Sequence, residues 1–296
     1  DTGLGKTLIE LSIAENIVRK TNGRVLILTP LAVAFQFINE AERIGVDDIA
    51  HSKDGRLSKK ITVCNYERLH LLNPDDFQCV MLDESSILKN FAGKTRDQIV
   101  AFIKRVPYRF LATATPSPND FIELGNSSEA LGYMGYMDML TKFFKSNQGS
   151  VDSNNRNIGE KFYLKPHAER DFFAWVNQWS VMVKRPSDLG FSDAGYDLPK
   201  LHVNKHTVHN DSTWCIGGQS ALFAMPAKSM TEVREEQKLT VKERCEKAVS
   251  LAIGKTSVYW CNLNEESSML AEMDKEATEI IGGMSIDQKE DILVSF

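Results

Sequence analysis

Asp1-Thr2-Gly3-Leu4-Gly5-Lys6-Thr7 opens the sequence, and apolar residues then recur at helical spacing at Leu8, Leu11, Ala14 and Val18. A glycine-rich loop that runs into a helix presents backbone N–H groups to an anion, and the helix dipole favours negative charge there. The Gly-Lys-Thr triplet is typical of a phosphate-binding loop, whereas the alternative is a glycine-rich turn that merely caps a helix. We expect ATP to be bound by Thr2, Gly3, Leu4, Gly5, Lys6 and Thr7.

A second motif narrows the class of nucleotide site. Residues 78–84 read as a buried strand that ends in two acids, Asp83 and Glu84. A magnesium–ATP site needs one carboxylate to position the metal and a second to orient the attacking water. The catalytic residues predicted from both motifs are therefore Lys6, Asp83 and Glu84, with Thr7 and Asp83 holding Mg²⁺. The alternative is a pair of solvated acids at a strand end.

The intervening sequence predicts an α/β fold. Apolar strand patterns at 24–30, 61–67 and 108–116 alternate with helical patterns at 34–44 and 94–105. Such alternation predicts a parallel sheet with helices on both faces, and ligands of these sheets bind beyond the carboxyl ends of the strands. The carboxyl ends of the strands are where the polar residues of both motifs lie, together with those of the other strand ends.

Composition excludes several classes of protein. The chain has 296 residues, with 35 basic and 40 acidic side chains, a formal charge of −5 and ordinary glycine and proline contents, so it is neither collagen-like nor disordered. The apolar stretch 25–35 is too short to span a bilayer, which predicts no membrane partner. Five dispersed cysteines predict reduced thiols in a cytoplasmic protein, bacterial or from a phage-infected cell.

Several segments together resemble a known family. They are DTGLGKT (1–7), LTPLAVAFQF (28–37), ITVCNYERL (61–69), LDESSILKN (82–90), ATATPSPNDFIEL (112–124), VKRPSDLGF (183–191), SVYWCNLNEES (257–267) and IIGGMSIDQKEDILVSF (280–296). This set resembles the superfamily-two helicase-like ATPases, most closely the Swi/Snf-type DNA translocases and phage DEAD-like helicases. One departure is Ser86, where the family usually carries histidine.

The resemblance implies roles for further residues. Thr113 and Thr115 would couple the nucleotide state to movement between two RecA-like lobes. A nucleic-acid backbone would lie near Thr29, Pro30, Gln36, Asn65 and Tyr66. A basic run from Leu88 to Arg109 could add phosphate contacts, but a solvated helix face is the favoured interpretation of that run.

The resemblance also implies a domain organisation. Residues 1–130 would form a RecA-like ATP-binding lobe of the P-loop NTPase class, 131–200 a helical insertion and 201–235 a connector. Residues 236–296 would start a second RecA-like lobe with a strand at 256–261. We expect a chain open at both ends, and we expect residues 1–296 alone to hydrolyse ATP poorly, because the family's second-lobe arginines are not among them.

These observations favour an ATP-driven motor on nucleic acid, with double-stranded DNA favoured over RNA and with ATP and Mg²⁺ as cofactors. A strand-separating DNA or RNA helicase is the first alternative, and unwinding and triplex-displacement assays distinguish the two. An ATP-binding clamp or restriction-system subunit with little turnover is the second alternative. ATP binding without stimulated hydrolysis would select the clamp.

Overall fold

The main sheet is built from the predicted apolar strands. The computed structural model describes residues 3–31, 33–89, 94–147, 162–196, 199–208, 215–216, 219–220 and 230–295. Its first strands are β1 (Arg24–Thr29), β2 (Ile49–His51), β3 (Ile61–Asn65), β4 (Phe77–Leu82) and β5 (Tyr108–Leu111). Within the described residues they form one parallel sheet in the order β2-β3-β1-β4-β5.

Helices cover both faces of this sheet. Side chains alternate along β1, so that Val25 and Ile27 point to one face while Leu26 and Leu28 point to the other. On the first face α1 (Lys6–Thr21) and α2 (Ala34–Ile44) bury their apolar sides; on the second, α3 (Lys94–Ile103) packs against β1 and β4. The predicted RecA-like α/β fold is confirmed.

A second core in the same unit is dominated by aromatic side chains. It is formed by α4 (Leu124–Leu131), α5 (Tyr136–Phe143), α6 (Glu169–Val176) and an antiparallel pair, β6 (Phe144–Ser146) with β7 (Phe162–Leu164). Phe172 is fully buried at its centre, with the rings of Phe143 and Phe144 5.4 Å and 5.5 Å away. Trp175 is buried in the same cluster.

The chain divides into two compact units, Asp1–Leu198 and Pro199–Phe296. The second unit contains α7 (Met230–Leu239), α8 (Val241–Ala252), α9 (Asn264–Met273) and α10 (Ile286–Ser295), with a short pair of strands, β8 (Cys215–Ile216) and β9 (Gln219–Ser220). Its core lies between α8 and α9, around Val241, Cys245 and Leu270.

The prediction of a strand at 256–261 is wrong. Residues 256–261 adopt no regular secondary structure, and Trp260 within them is 93% exposed. A β-strand is stabilised by the hydrogen bonds of a neighbouring strand, and none pairs with this segment in the described part of the second unit. The start of a second RecA-like lobe therefore stays a prediction.

No helix in the described ranges combines the length and the apolar character needed to cross a membrane.

Truncating a side chain between α1 and the sheet should destabilise the first unit. Ile27→Ala removes a fully buried side chain, and we expect the free energy of unfolding to fall by about 2–5 kcal/mol in urea denaturation followed by circular dichroism. The matched control is Ile44→Ala at an exposed helix end, where the expected change is under about 1 kcal/mol. Equal losses in both variants would contradict this packing.

Candidate active site

The glycine-rich loop and the first turn of α1 form one side of the site. Gly3 and Gly5 have φ values of 76° and 77°, in the left-handed region that favours glycine. Gly5 caps α1 without any side-chain hydrogen bond, so the first N–H groups of the helix face outward with the positive end of the helix dipole. Thr2 lies outside the described residues. This geometry suits an anion in front of Lys6.

The carboxylate pair lies where β4 ends, between β1 and β5. The backbone there is held from both sides, because the N–H of Asp83 donates to the Leu28 carbonyl at 2.9 Å and the N–H of Ser85 donates to the Ala112 carbonyl at 2.9 Å. Between them Glu84 has a φ of 51°, which is unfavourable for a residue with a side chain. The turn therefore fixes where the Glu84 carboxylate points.

Side chains from three elements meet at this point. Lys6 Nζ lies 3.9 Å from Glu84 Oε1, and the two side chains are 22% and 38% exposed. From the loop after β5, the Thr113 hydroxyl donates to Glu84 Oε2 at 3.4 Å and accepts from the Thr115 N–H at 3.0 Å. The structure thus brings together Lys6, Glu84 and Thr113, residues far apart in sequence. The Ser86 hydroxyl donates to the Glu84 carbonyl oxygen at 3.5 Å, within the same turn.

Asp83 is buried beside this group, with 5% of its surface exposed. Burial raises the pKa of Asp83, and the neighbouring charge of Glu84 raises it further. The Tyr66 hydroxyl donates to the main-chain oxygen of Asp83 at 2.7 Å, and burial raises the pKa of Tyr66 well above its ordinary value. Tyr66 is therefore a neutral donor that fixes the backbone behind the carboxylate.

Glu10 is a third acid at the site and is absent from the predicted set. It is 4% exposed, and among the described residues neither carboxylate oxygen has a hydrogen-bond partner. Burial raises the pKa of Glu10 to about 8, and the charge of Asp83 adds to the effect. The signal was present in the sequence, because position 10 shares the inner face of α1 with Ala14, where an acid is unusual.

These groups fit ATP with Mg²⁺. Lys6 and the first-turn N–H groups offer positive charge, while Thr7 and Asp83 offer the oxygen ligands that Mg²⁺ prefers. Among the described residues, no group of three or more His, Cys, Asp and Glu side chains could hold a metal ion. Mg²⁺ at nucleotide sites is usually held by one or two protein ligands together with phosphate oxygens and water.

The residues predicted to lie near nucleic acid divide into two sets. Gln36 is exposed and Pro30 is half-buried, so both reach the surface. By contrast, Thr29, Asn65 and Tyr66 are buried, and we do not propose direct side-chain contacts for them. Burial of these polar groups could not be read from their places at strand ends.

The basic run near α3 is largely occupied by ion pairs. Arg96 is buried and lies 3.0 Å from a Glu129 carboxylate oxygen, while Lys104 lies 3.1 Å from the other oxygen. Arg105 pairs with Asp75. Arg96 also pairs with Asp97 at 3.0 Å, so three acids face these three cations. Ion pairs within the protein do not favour a nucleic-acid patch here, while the side chains of Lys104 and Arg105 stay about half exposed to solvent.

Comparison with known proteins gives structural matches only. No protein-family model matches the chain, and no curated protein matches its sequence significantly. Solved structures that match include the Sulfolobus solfataricus SWI2/SNF2 ATPase core in complex with dsDNA, at 22% identity and a TM-score of 0.41, covering 48% of this chain and 33% of that one. Another is the UvsW helicase from bacteriophage T4, at 17% identity and a TM-score of 0.35, covering 44% and 49%. The chain spans less than half the length of either structure, and both belong to the classes that the motifs resemble.

The buried acid predicts a pH-dependent stability. Between its ordinary pKa of 4.5 and about 8, Glu10 has lost its proton in the unfolded chain but keeps it in the folded one. Stability should therefore fall as pH rises through this window, by up to about 1.4 kcal/mol per pH unit. Glu10→Gln abolishes this contribution, so its stability relative to wild type should increase from about pH 5 to about pH 8.

The measurement is urea denaturation across that pH range in EDTA, without nucleotide. Glu42→Gln changes an exposed acid on α2 and serves as the matched control. A difference between Glu10→Gln and wild type that stays constant with pH would show that Glu10 is ionised in the folded protein.

Proposed function

We propose that this protein is an ATP-dependent nucleic-acid motor of the helicase-like type, with double-stranded DNA as the favoured track. The observation that carries the proposal is the 3.9 Å approach of Lys6 Nζ to the carboxylate of Glu84 at the carboxyl edge of a parallel sheet. Asp83 and the first turn of α1 complete a site of the chemistry that ATP hydrolysis requires.

Lys6 and the loop supply the binding interactions. The N–H groups at the start of α1 would hold phosphate oxygens, and the Lys6 ammonium would exchange its Glu84 partner for the β- and γ-phosphates. Thr7 and Asp83 would hold Mg²⁺, which neutralises charge on the phosphates when bound. Because Asp83 would bind the cation as a carboxylate, its affinity for Mg²⁺ should fall at acidic pH.

Glu84 is suited to act on the attacking water. Once Lys6 turns to phosphate, the Glu84 carboxylate is left with the Thr113 hydroxyl as its partner, at 3.4 Å. A carboxylate held in that way can orient a water molecule and accept its proton. The hydrogen bond between Thr113 and Glu84 would then change when Glu84 binds the water. The Thr115 N–H, which donates to the Thr113 hydroxyl, would pass that change along the loop.

The motor and its track rest on the resemblance of the motifs. Lys89-Asn90 and the Pro-Ser-Pro-Asn segment at 116–119 favour the Swi/Snf type over DEAD-box RNA helicases. We infer that residues 236–296 begin a second RecA-like lobe and that ATP-dependent closure of two lobes steps the protein along one strand. A cytoplasmic location is part of the same proposal.

Replacing the loop lysine should strongly reduce ATP hydrolysis. We expect Lys6→Ala to lower nucleic-acid-stimulated ATP hydrolysis about 10²- to 10³-fold and to weaken ATP binding, because the cation that neutralises the phosphates is lost. The assay is phosphate release by the full-length protein, with a fluorescent ATP analogue to follow binding. Lys20→Ala, at the exposed far end of α1, is the matched control and should behave as wild type.

Neutralising Glu84 should separate binding from hydrolysis. We expect Glu84→Gln to reduce turnover at least about 10²-fold, since the general base is lost, while ATP affinity stays equal or rises as Lys6 is released from its ion pair. Retained hydrolysis in this variant would exclude the assigned role. Wild-type protein that binds ATP without stimulated hydrolysis would support the clamp, and strand separation in an unwinding assay would support the helicase.

A further inference from the structure

Three buried polar side chains lie behind the candidate nucleotide site, between α1 and the main sheet. They are Glu10 of α1, Thr29 at the end of β1 and Asp83 directly after β4. All three are buried, and Thr29 has no exposed surface at all. The space between a helix and a sheet is normally filled by apolar side chains, so three oxygen-bearing groups there are unusual.

The strand register places Thr29 and Asp83 side by side. Side chains alternate along a strand, so every second residue of β1 and β4 points to the face that α1 covers. The preceding members of these two rows are buried on that face, namely Val25 and Ile27 in β1 and Cys79 and Met81 in β4. The Asp83 N–H donates to the Leu28 carbonyl at 2.9 Å, so the pairing of the two strands extends to this level. Thr29 and Asp83 are therefore neighbours on the face next to α1.

Glu10 faces this pair from the helix. It lies on the buried side of α1 with Leu11 and Ala14, four residues beyond Lys6. Four residues advance a helix by roughly 6 Å, so Glu10 is about one turn further from the glycine-rich loop than Lys6 is. After burial, the charge of Asp83 is the largest cause of the raised pKa of Glu10, which agrees with this proximity. Glu10 therefore lies behind Asp83, away from the loop that would hold phosphate.

The oxygens of Glu10 and Thr29 have hydrogen-bonding capacity to spare. Within the part of the chain that the structure describes, neither carboxylate oxygen of Glu10 has a partner, and the Thr29 hydroxyl has none either. Buried polar groups in proteins are nearly always hydrogen-bonded, either to protein or to an ordered water. An internal water typically makes about three hydrogen bonds to groups of this kind. Glu10, Thr29 and Asp83 offer the oxygen atoms that one such water would bind.

We propose that Glu10 is a positioning residue that orients the Asp83 carboxylate for Mg²⁺, acting together with the Thr29 hydroxyl through a shared internal water. Hydrogen-bond partners behind a metal ligand fix its orientation, and their loss typically weakens metal binding about 10- to 100-fold. Glu10 and Thr29 supply such partners from two different elements, α1 and β1. The inference rests on the proposed function, because it adds two residues to the metal site of that function.

The test measures how much a metal ion strengthens nucleotide binding. Binding of a fluorescent ATP analogue to the full-length protein is measured near neutral pH with saturating Mn²⁺ and again in EDTA, and the ratio of the two affinities is the metal-dependent factor. Glu10→Met removes both oxygens at similar side-chain length and should lower this factor about tenfold, with binding in EDTA unchanged. Glu10→Gln keeps a hydrogen-bonding group in place and should stay within about twofold of wild type.

Two buried hydroxyls provide a matched comparison. Thr29→Val should lower the metal-dependent factor about two- to fivefold, whereas Ser52→Ala should leave it unchanged. Ser52 is the control because its buried hydroxyl also has no partner among the described residues, yet it follows β2, which β3 and β1 separate from β4. Melting temperatures in EDTA show whether each variant is folded.

The outcomes separate this inference from the function on which it rests. Equal metal-dependent factors for wild type and Glu10→Met would overturn the inference alone, and so would equal factors for Thr29→Val and Ser52→Ala, should Glu10→Met fail to fold. Equal losses in Glu10→Gln and Glu10→Met would show that Glu10 acts through its charge, which also contradicts the inference. Wild-type protein that does not bind the ATP analogue would overturn the proposed function as well.

Discussion

The ion pair between the Lys6 ammonium and the Glu84 carboxylate, 3.9 Å apart where β4 ends, is the interaction on which the rest of the site depends. Three acids, Glu10, Asp83 and Glu84, lie near Lys6 in a partly buried space. Burial raises the free energy of an ionised carboxylate, and neighbouring negative charges raise it further. The pKa values of Glu10 and Asp83 are raised for both reasons, with burial as the larger cause.

The parallel sheet makes this arrangement possible. Residues at the ends of β1, β3 and β4 are distant in sequence, yet the strand register brings Thr29, Asn65 and Asp83 to one edge. The last residue of β3 and the residue after it then support two different places. Tyr66, directly after β3, donates to the main-chain oxygen of Asp83, whereas Asn65, at the end of β3, lies 3.2 Å from His51 Nε2 in β2. One short stretch of chain thus supports both the candidate nucleotide site and the neighbouring strand.

Much of this could be predicted from sequence, because periodicity and spacing carry strong signals. The helices at 6–21 and 34–44 and the strands of the main sheet follow their apolar patterns, and Lys6 and Glu84 follow from their motifs. What could not be predicted depends on tertiary contacts. The three-residue β2 is too short for periodicity. Residues 256–261 have a strand-like composition, but no strand pairs with them in the part of the second unit that the structure describes.

The left-handed backbone conformation of Glu84 lowers stability at a position where the proposed reaction needs a carboxylate. Glycine or asparagine would adopt a φ of 51° at lower conformational cost, on the order of 1 kcal/mol, but neither carries a carboxylate. Among variants at residue 84, those that fold in higher yield should therefore be those with lower ATP turnover. Under the proposed function, a glutamate at this position is explained by its carboxylate and not by its backbone preference.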